Sequence, residues 1–365
     1  MTDPEGPIGG HLDYSVVVPS RGRRSLLLAA LESVYAQTLP AREVIVVLDG
    51  DVDGSGEAVR ASYPGTLIIA HDRSLGPARA RSTGLRAATS TWVCLLDDDD
   101  IWHHDKQRQF ASYIEKNPEC GAVRSAYWQF SPNQDAIQLN GFRTELFEAG
   151  DRRNLERLAA TSTPLNDFGY LDIQGRSLQE MLKRNSGVTS STMVRRDVLD
   201  QVPDVPDALR SAQDWLLFVY IASIVEWHLV PGRWFFYRVH GEQITSDVTI
   251  PKWESRVLAW GEAWRNVGRP MGFHLRDYEA EYASELHQWV WAALRRGDRD
   301  QARRIYAAGS SFMVSWPIRW SVWLPPALRW RVRRPLAWLV AKSPLGRGDA
   351  GANDAARNGD WWRRQ

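Results

Sequence analysis

Short runs of continuously apolar residues alternate with longer segments of helical periodicity over the first third of this 365-residue chain. Strands that are apolar on both faces are typical of parallel sheets covered by helices on each side, and the strand–helix rhythm is that of repeated βαβ units. The pattern therefore predicts an α/β fold with a doubly wound, mostly parallel sheet. The four strand–helix pairs are YSVVVP with 25–37, EVIVVLDG with 57–62, TLIIAHD with 77–88, and WVCLLDDDD with 104–116.

Polar loops follow three of these apolar runs, at the points where the predicted strands end. They span Pro19–Arg24, Asp49–Gly56 and Asp97–Asp100. Open α/β sheets bind ligands outside the carboxyl ends of their strands, near the point where the strand order reverses. We therefore expect a ligand site at these loops, covered by the polar stretch 131–175 that follows the strand-like segment GAVRSAYWQF.

The chain is longer than one typical domain of ~100–200 residues, and its composition changes after about Pro251. Twelve of the 18 tryptophans lie from Trp253 onward, in segments of helical character. Before this change, helices over 177–185 and 213–225 and strands in SGVTSSTMV and RWFFYRVH extend the first domain. The predicted organisation is a flexible N-terminus over 1–13, an α/β domain over 14–250, a Trp/Arg-rich helical region over 251–345 and a disordered tail over 346–365.

Composition limits the compartment and the partners of the chain. Two cysteines provide neither a disulfide framework nor a cysteine-rich metal site, and they fit a reducing compartment. The formal net charge of +1 does not indicate any class of binding partner, and we predict no nucleic-acid binding. Because residues 1–13 lack the features of a signal peptide, and the apolar stretch 305–318 is shorter than the ~20 residues of a membrane span, we expect a cytoplasmic protein without a transmembrane helix.

Four consecutive aspartates, Asp97–Asp100, directly follow the fourth apolar run. Adjacent carboxylates repel one another unless a cation or hydrogen-bond donors compensate. Hard cations such as Mg²⁺ and Mn²⁺ take oxygen ligands, commonly one or two carboxylates together with substrate phosphates. Asp97 and Asp99 share one face of an extended segment and can act together. A solvated acidic turn or helix start is the alternative, but the position at a strand end favours a ligand site.

These motifs, in this order, resemble those of inverting family-two glycosyltransferases with the GT-A fold. The resemblance covers about Tyr14–Thr245. It implies an enzyme that uses Mg²⁺ or Mn²⁺ to move a sugar from a nucleotide-sugar donor to a hydroxyl of a saccharide or lipid-linked acceptor, in the synthesis of cell-surface glycans or glycoconjugates. The matching segments are VVVPSRGR, VIVVLDGDVDGSGE, LGPARARSTGL, LLDDDDIW, NSGVTSSTMVRRDVL and AQDWLLF.

The resemblance also implies which residues bind donor and metal. The metal motif maps onto Asp97 and Asp99, with Asp98 and Asp100 as alternatives, and His240 in FFYRVHGEQIT is a further metal ligand or a structural histidine. Leu48 stands where many members carry the first of two aspartates, which leaves the identity of the donor open. Asp49 itself is also compatible with an ordinary turn residue. The implied donor-binding residues are Pro19, Ser20, Arg21, Asp49, Arg81, Asp97 and Asp98.

GPARARSTGL supplies a glycine turn into a helix that carries Arg79 and Arg81. Guanidinium groups match the oxygens of phosphate, so either arginine could contact a diphosphate. The alternative is a structural ion pair with the aspartates of 97–100. By family resemblance, Arg81 is the active-site arginine.

Asp214 lies at a predicted helix start in SAQDWLLF, where a carboxylate can simply cap the helix. The resemblance makes Asp214 the catalytic base. One carboxylate suffices for inversion, because it removes the proton of the acceptor hydroxyl while that oxygen attacks the sugar from the face opposite the nucleotide. The metal would stabilise the departing diphosphate.

The segment from 301 to 348 contains nine Lys or Arg and no acidic residue, and several of its arginines alternate with tryptophans. Trp and Arg together favour an anionic membrane interface, which would place the protein peripherally at the inner face of the cell membrane. The alternative is a helical appendage that packs its tryptophans on the first domain or on a second subunit. The oligomeric state is left open.

Two other functions use a similar fold. A nucleotidyltransferase also pairs a Rossmann-like sheet with metal-bound carboxylates, but its first loop is usually glycine-rich and basic, and SRGRRS is a poor match. A noncatalytic carbohydrate-binding or scaffold protein would need neither metal ligands nor a base. Asp97, Asp99, Asp214 and His240 together therefore favour an enzyme.

Overall fold

A computed structural model describes residues 12–130, 162–164, 171–183, 185, 187–240, 252–267, 290, 293–294 and 296–309. The chain divides into two compact units, Met1–Pro251 and Lys252–Gln365. Most of the predicted flexible N-terminus, most of the polar stretch 131–175, and the whole of the Trp/Arg-rich segment and tail beyond residue 309 lie outside the described residues.

The first half of the first unit alternates strands and helices, as the apolar periodicity predicts. Its helices begin and end within about two residues of the predicted limits. The elements are β1 Tyr14–Ser20, α1 Arg24–Tyr35, β2 Glu43–Leu48, α2 Ser55–Ser62, β3 Leu67–Ala70, α3 Pro77–Ala87, β4 Trp92–Leu95, β5 Ile101–Trp102, α4 Lys106–Lys116 and β6 Ala122–Phe130.

The second half of this unit adds shorter strands and helices. They are β7 Thr163–Pro164, α5 Ser177–Lys183, a 3₁₀ turn Thr189–Ser191, β8 Thr192–Arg195, α6 Arg196–Leu199, α7 Gln213–Ala222 and β9 Trp227–Arg238. The strand predicted throughout SGVTSSTMV is only its last part. Ser191 and Thr192 donate their hydroxyls to the carbonyls of Val188 and Thr189 at 2.6 and 2.8 Å, and such local bonds compete with a strand.

The nine strands of the described residues belong to one sheet with the order β3-β2-β1-β4-β8-β6-β9-β5, and β7 pairs with β6. The pairs among β3, β2, β1 and β4 are parallel, and so is the β6–β9 pair. Strand β8 runs antiparallel to both β4 and β6, and β5 runs antiparallel to β9. The α/β class is confirmed. The antiparallel strands of the second half are an addition that short apolar runs could not indicate, because apolarity does not give strand direction.

Helix α3 lies unusually close to the sheet because residue 84 is a glycine. A Cβ atom at Gly84 would overlap the side chain of Val17 on β1 and would lie 3.1 Å from Cγ2 of Val47 on β2. The helix backbone therefore packs directly on the two central parallel strands. Arg81, one turn earlier on the same helix, is thereby held near the end of β4.

A lysine is fully buried beneath the β5–α4 connection. Lys106 has no exposed side-chain surface, and its Nζ lies 4.2 Å from the ring centre of Trp102 and 4.1 Å from that of Phe110. Within the described residues, Nζ has no hydrogen-bond acceptor. The two aromatic faces therefore provide the favourable contacts of this ammonium group.

The second unit contains two described helices, α8 Lys252–Val267 and α9 Arg299–Gly309. Trp260 and Ala263 of α8 and Ile305 of α9 are buried. No helix in the described part of the chain combines the length and apolarity that a bilayer crossing requires.

Candidate active site

The four aspartates form a tight turn between β4 and β5, closed by a hydrogen bond of 3.2 Å from the backbone N–H of Asp100 to the carbonyl of Asp97. The turn follows the carboxyl end of β4, next to the end of β1. Each of the four carboxylates has different partners. They therefore cannot be treated as equivalent ligands.

Asp100 is the most deeply buried of the four and is held entirely by protein groups. Its two oxygens accept hydrogen bonds of 2.6 Å from the hydroxyl of Ser190 and 3.0 Å from the backbone N–H of Arg238. Ser190 Oγ also accepts a hydrogen bond of 3.1 Å from the backbone N–H of Asp97. Burial, together with the charges of Asp99 and Asp97, raises the pKa of Asp100 well above its usual value. This aspartate fixes the turn.

Asp98 joins the turn to the loop that follows β1. Its carboxylate accepts hydrogen bonds of 2.7 Å from Ser20 Oγ and 3.0 Å from Arg23 Nη1, and the same nitrogen of Arg23 lies 2.9 Å from Asp99 Oδ2. Burial, with the neighbouring charge of Asp99, raises the pKa of Asp98 to about 6. Arg23 therefore partly neutralises two adjacent carboxylates at once.

Asp99 meets the end of β9. His240 Nε2 lies 3.1 Å from Asp99 Oδ2, and the Arg238 guanidinium donates through Nε to the Asp99 carbonyl at 2.7 Å. Burial is the strongest influence on the pKa of Asp99 and acts to raise it. The His240 hydrogen bond and the cationic neighbours outweigh burial and hold this pKa below its usual value. The structure thus joins two of the predicted metal ligands, Asp99 and His240.

Asp97 pairs with Arg81 of helix α3. Arg81 Nη2 donates to Asp97 Oδ1 at 2.7 Å, and a quarter of the Asp97 side chain is exposed. Burial raises the pKa of Asp97 despite the charge of Arg81. The two other nitrogens of the Arg81 guanidinium, Nε and Nη1, are buried and have no hydrogen-bond partner among the described residues. Arg79, in contrast, lies at the surface, 3.5 Å from Asp207.

Asp214 is the second residue of α7, and its Oδ1 accepts a hydrogen bond of 2.8 Å from the backbone N–H of Trp215. Its charge contributes to the pKa values of both Arg81 and Asp97, so it lies at the same end of the sheet. Ala212, two residues before Asp214, has φ of 59° and ψ of 14°. A non-glycine residue in this left-handed region carries strain, which is common beside functional sites.

Asp49 shapes a loop rather than presenting a free carboxylate. Its oxygens accept hydrogen bonds of 2.7–2.9 Å from His71 Nδ1, Ser74 Oγ and the backbone N–H groups of Leu75 and Gly76. Burial acts to raise the pKa of Asp49, but these four bonds outweigh it and lower the pKa. They fix the start of helix α3.

The remaining predicted donor-binding residues lie in the β1–α1 loop. Ser20 is buried against Asp98, as described above, and Pro19 is half-buried at the end of β1. Arg21 is exposed and makes no hydrogen bond to another described residue. Of these three, only Arg21 is exposed.

The family model described as "Glycosyl transferase family 2" matches residues 15–170, which contain β1 to β6 and the acidic turn. Residues 15–170 match a family-two glycosyltransferase domain. This domain confirms the family that the motifs resemble.

Two curated relatives illustrate how far the similarity extends. "Succinoglycan biosynthesis protein ExoO" of Rhizobium meliloti (strain 1021) is 29% identical over 206 residues, covering 56% of this chain and 54% of that protein. "Amylovoran biosynthesis glycosyltransferase AmsB" of Erwinia amylovora is 34% identical over 110 residues, covering 29% of this chain and 36% of that protein. The chain thus spans about half, or less, of the length of these relatives.

Solved structures share the fold at low sequence identity. S. aureus TarS has a TM-score of 0.54 at 14% identity, covering 89% of this chain and 53% of that chain. S. aureus TarS 1-349 in complex with UDP-GlcNAc has a TM-score of 0.50 at 15% identity, covering 96% of this chain and 89% of that chain. The fold of the family-two domain is GT-A.

The side chains of Asp97, Asp99 and His240 are of the types that can bind a hard divalent cation. Asp99 and His240 are adjacent, and the partly exposed Asp97 lies on the same turn. In the described residues, however, Asp97, Asp99 and His240 do not form a trio whose ligand atoms all lie within 4.8 Å of one another. Two protein ligands completed by phosphate oxygens would be an ordinary arrangement for Mg²⁺ or Mn²⁺.

Two residues of this site were not predicted from the sequence. Arg23 lies in the SRGRRS loop, where its proximity to the acidic turn depends on the pairing of β1 with β4. Ser190 lies in SGVTSS, and its contacts with Asp97 and Asp100 span 93 and 90 residues of sequence. The family motifs around both residues are the signal that could have drawn attention to them.

Proposed function

We propose that this chain is a metal-dependent, inverting glycosyltransferase that moves a sugar from a nucleotide-sugar donor to a hydroxyl acceptor. The observation that carries the proposal is the convergence of the Asp97–Arg81 pair, the Asp99–His240 pair and Asp214 at the carboxyl ends of the parallel strands. This is the edge at which α/β sheets bind nucleotides.

Arg81 is the proposed ligand of the donor diphosphate. Two of its guanidinium nitrogens are buried without a described acceptor, which is costly unless a ligand supplies one. Phosphate oxygens are well matched to a guanidinium, and they would leave the Asp97 contact on the third nitrogen intact. Arg81 could therefore keep its ion pair with Asp97 and bind the donor diphosphate at the same time.

Asp99 and His240 are the proposed protein ligands of Mg²⁺ or Mn²⁺, with Asp97 as a further ligand. When bound, the cation would act as a Lewis acid that offsets the negative charge developing on the departing diphosphate. Arg23 shares Asp99 Oδ2 with His240, so the protein itself supplies positive charge to this carboxylate. We expect metal binding to compete with that contact.

Asp214 is the proposed base. Its carboxylate has one hydrogen bond within the described residues, to its own helix, and is not fully buried. A carboxylate in this position could accept the proton of an acceptor hydroxyl as the hydroxyl oxygen attacks the anomeric carbon. A single base and direct attack would invert the configuration of that carbon.

The β1–α1 loop and Asp49 are the proposed nucleoside site, with different roles. Asp49 would act through the loop 71–76, since its own oxygens are already occupied by that loop. Pro19, Ser20 and Arg21 would lie nearest the base and ribose, and Asp98 would hold Ser20 in place. The absence of an aspartate at position 48 leaves fewer carboxylates for nucleoside recognition.

The acceptor is proposed from the relatives. ExoO and AmsB are named for the biosynthesis of succinoglycan and amylovoran, so we propose a saccharide or lipid-linked acceptor in cell-surface polysaccharide synthesis. The acid-free Trp/Arg-rich segment would bring the enzyme to an anionic membrane surface at the inner face of the cell membrane. Both parts of this proposal go beyond the family-two domain itself.

Release of nucleoside diphosphate from a panel of UDP-, GDP- and dTDP-sugars, with Mn²⁺ and candidate acceptors, tests the proposal. We expect one class of nucleotide sugar to release its nucleoside diphosphate as the sugar passes to an acceptor or to water. Arg81→Lys should weaken binding of the diphosphate more than binding of the free nucleoside. Arg79→Lys is the matched control on the same helix and should behave like wild type. Release of pyrophosphate would instead indicate a nucleotidyltransferase, and binding without turnover of any donor would indicate a noncatalytic protein.

A further inference from the structure

A second group of metal-ligand side chains lies in the turn between β5 and α4, outside the acidic turn. It consists of the consecutive residues His103, His104 and Asp105. Each offers one ligand atom, and these atoms all lie within 4.8 Å of one another. Within the described residues, no other group of three His, Cys, Asp or Glu side chains meets that distance.

The backbone of this turn is fixed by bonds to two distant segments. The His103 N–H donates to the Trp234 carbonyl on β9 at 3.0 Å. The carbonyl of His104 accepts from the Thr38 N–H at 2.9 Å, and the carbonyl of His103 accepts from Gln37 Nε2 at 2.9 Å. A ligand set on such a fixed turn loses little conformational entropy when it binds a metal.

The side chains are also oriented. Thr38 Oγ1 donates to Asp105 Oδ1 at 2.8 Å, which directs the other oxygen, Oδ2, toward His104 Nε2 at 3.1 Å. The rings of His103 and His104 stack at 4.4 Å, and His103 also contacts the ring of Trp234 at 5.4 Å. All three side chains are half-buried, so they are sheltered but reachable by an ion.

We propose that His103, His104 and Asp105 bind a transition-metal ion of the Zn²⁺ type. Two imidazoles and one carboxylate are ligands that zinc takes in proteins, with bonds of about 2.0–2.2 Å. Two ligands of a tetrahedral zinc are then about 3.3 Å apart. The His104–Asp105 separation of 3.1 Å is already close to that value, and a solvent molecule would complete the shell.

This site would differ from the donor site in the metal that it selects. The proposed donor-site cation would have one imidazole, that of His240, among carboxylate and phosphate oxygens. Two of the three side chains in the β5–α4 turn are imidazoles, which favour zinc and its neighbours. The proposal does not depend on the glycosyltransferase activity. The zinc would act structurally, by holding the three side chains of the β5–α4 turn together.

Zinc titration of the full chain tests the proposal. The protein is stripped with EDTA, dialysed, and titrated with ZnCl₂ by calorimetry. Cobalt(II) is then added to a separate sample, because tetrahedral cobalt has visible absorption bands. We expect one zinc equivalent bound and a rise in the unfolding temperature. His104→Ala and Asp105→Asn should each weaken zinc binding by at least about tenfold, as loss of metal-site groups commonly does.

Asp99→Asn is the matched control, because it alters the donor site and should leave zinc affinity at His103–Asp105 unchanged. Circular dichroism in EDTA checks that the variants are folded. Asp105→Asn keeps an oxygen for Thr38, so this variant retains the turn even where His104→Ala does not fold. No tight zinc binding by wild type, equal binding by His104→Ala and wild type, or loss of binding only in Asp99→Asn would each overturn the proposal.

Discussion

Ser190 donates its hydroxyl to Asp100 at 2.6 Å, although 90 residues of sequence separate the two. The same oxygen accepts the backbone N–H of Asp97, so one side chain holds both ends of the acidic turn. Ser190→Ala should cost about 1–3 kcal/mol in the free energy of unfolding, because it leaves buried partners unsatisfied. It should also weaken donor binding. Urea denaturation and calorimetry with a nucleotide sugar measure the two effects.

The neighbouring Ser191→Ala is the control for this variant. Ser191 is equally buried, but its hydroxyl donates locally to the Val188 carbonyl. Its loss should affect stability and leave donor affinity close to that of wild type. Equal donor affinity of both variants would show that Ser190 has no special role at the turn.

Asp99 and Asp98 are adjacent but should respond differently to substitution. Asp99→Asn removes the charge beside His240 and should reduce Mn²⁺ affinity, measured by electron paramagnetic resonance, together with turnover. Asp98→Asn alters the contacts with Ser20 and Arg23 and should retain metal-dependent turnover. Excess chelator should stop wild-type turnover, and Mg²⁺ or Mn²⁺ should restore it. Full activity in chelator would exclude a role for the metal.

Asp214→Asn should separate binding from catalysis. The amide keeps the size of the side chain and an oxygen for the Trp215 N–H, but it cannot accept a proton. Donor affinity should persist while turnover falls roughly 10²–10⁴-fold, the usual contribution of a positioned base. The coupling constant of the anomeric proton in the product should report inversion. Near-normal turnover, or retention of configuration, would remove Asp214 from this role.

Lys106→Met should change the pH dependence of stability. Burial lowers the pKa of Lys106 to about 8 from 10.5, so the unfolded chain binds the extra proton between these pH values. Stability contributed by this group therefore rises as the pH increases from about 8 to 10.5, because the cost of burying the ammonium disappears. The advantage of Met over Lys should shrink by about 3 kcal/mol over that window.

Urea denaturation in EDTA at pH 7 and pH 10 measures this difference. Lys116→Met removes an exposed lysine from the same helix and controls for the change in net charge. A Lys106→Met advantage that is independent of pH would show that the buried side chain stays protonated over this range, as it does in the unfolded chain.

The sequence was sufficient to predict the parallel half of the sheet, because β1, β2 and β4 are continuously apolar and each is followed by a helix. The same periodicity located the acidic turn at a strand end. The contacts within the turn could not be predicted, since Arg23 and Ser190 reach it through the pairing of strands distant in sequence. Asp49 illustrates the same limit. The motif predicts that Asp49 binds the donor, but its carboxylate is hydrogen-bonded to His71 and Ser74, and these bonds are evident only in the folded loop.

Gly84 determines how changes in the packing of α3 on the sheet would affect the active site. Because Gly84 has no side chain, the distance between α3 and the sheet is set by contact of the helix backbone with Val17 and Val47. A larger residue at position 84 would push α3 away from the sheet. Arg81 would move with the helix, away from Asp97. A substitution in the core, at a residue that does not contact the donor, would thus be detected first as weaker binding of phosphate, because the packing of Gly84 sets the position of Arg81.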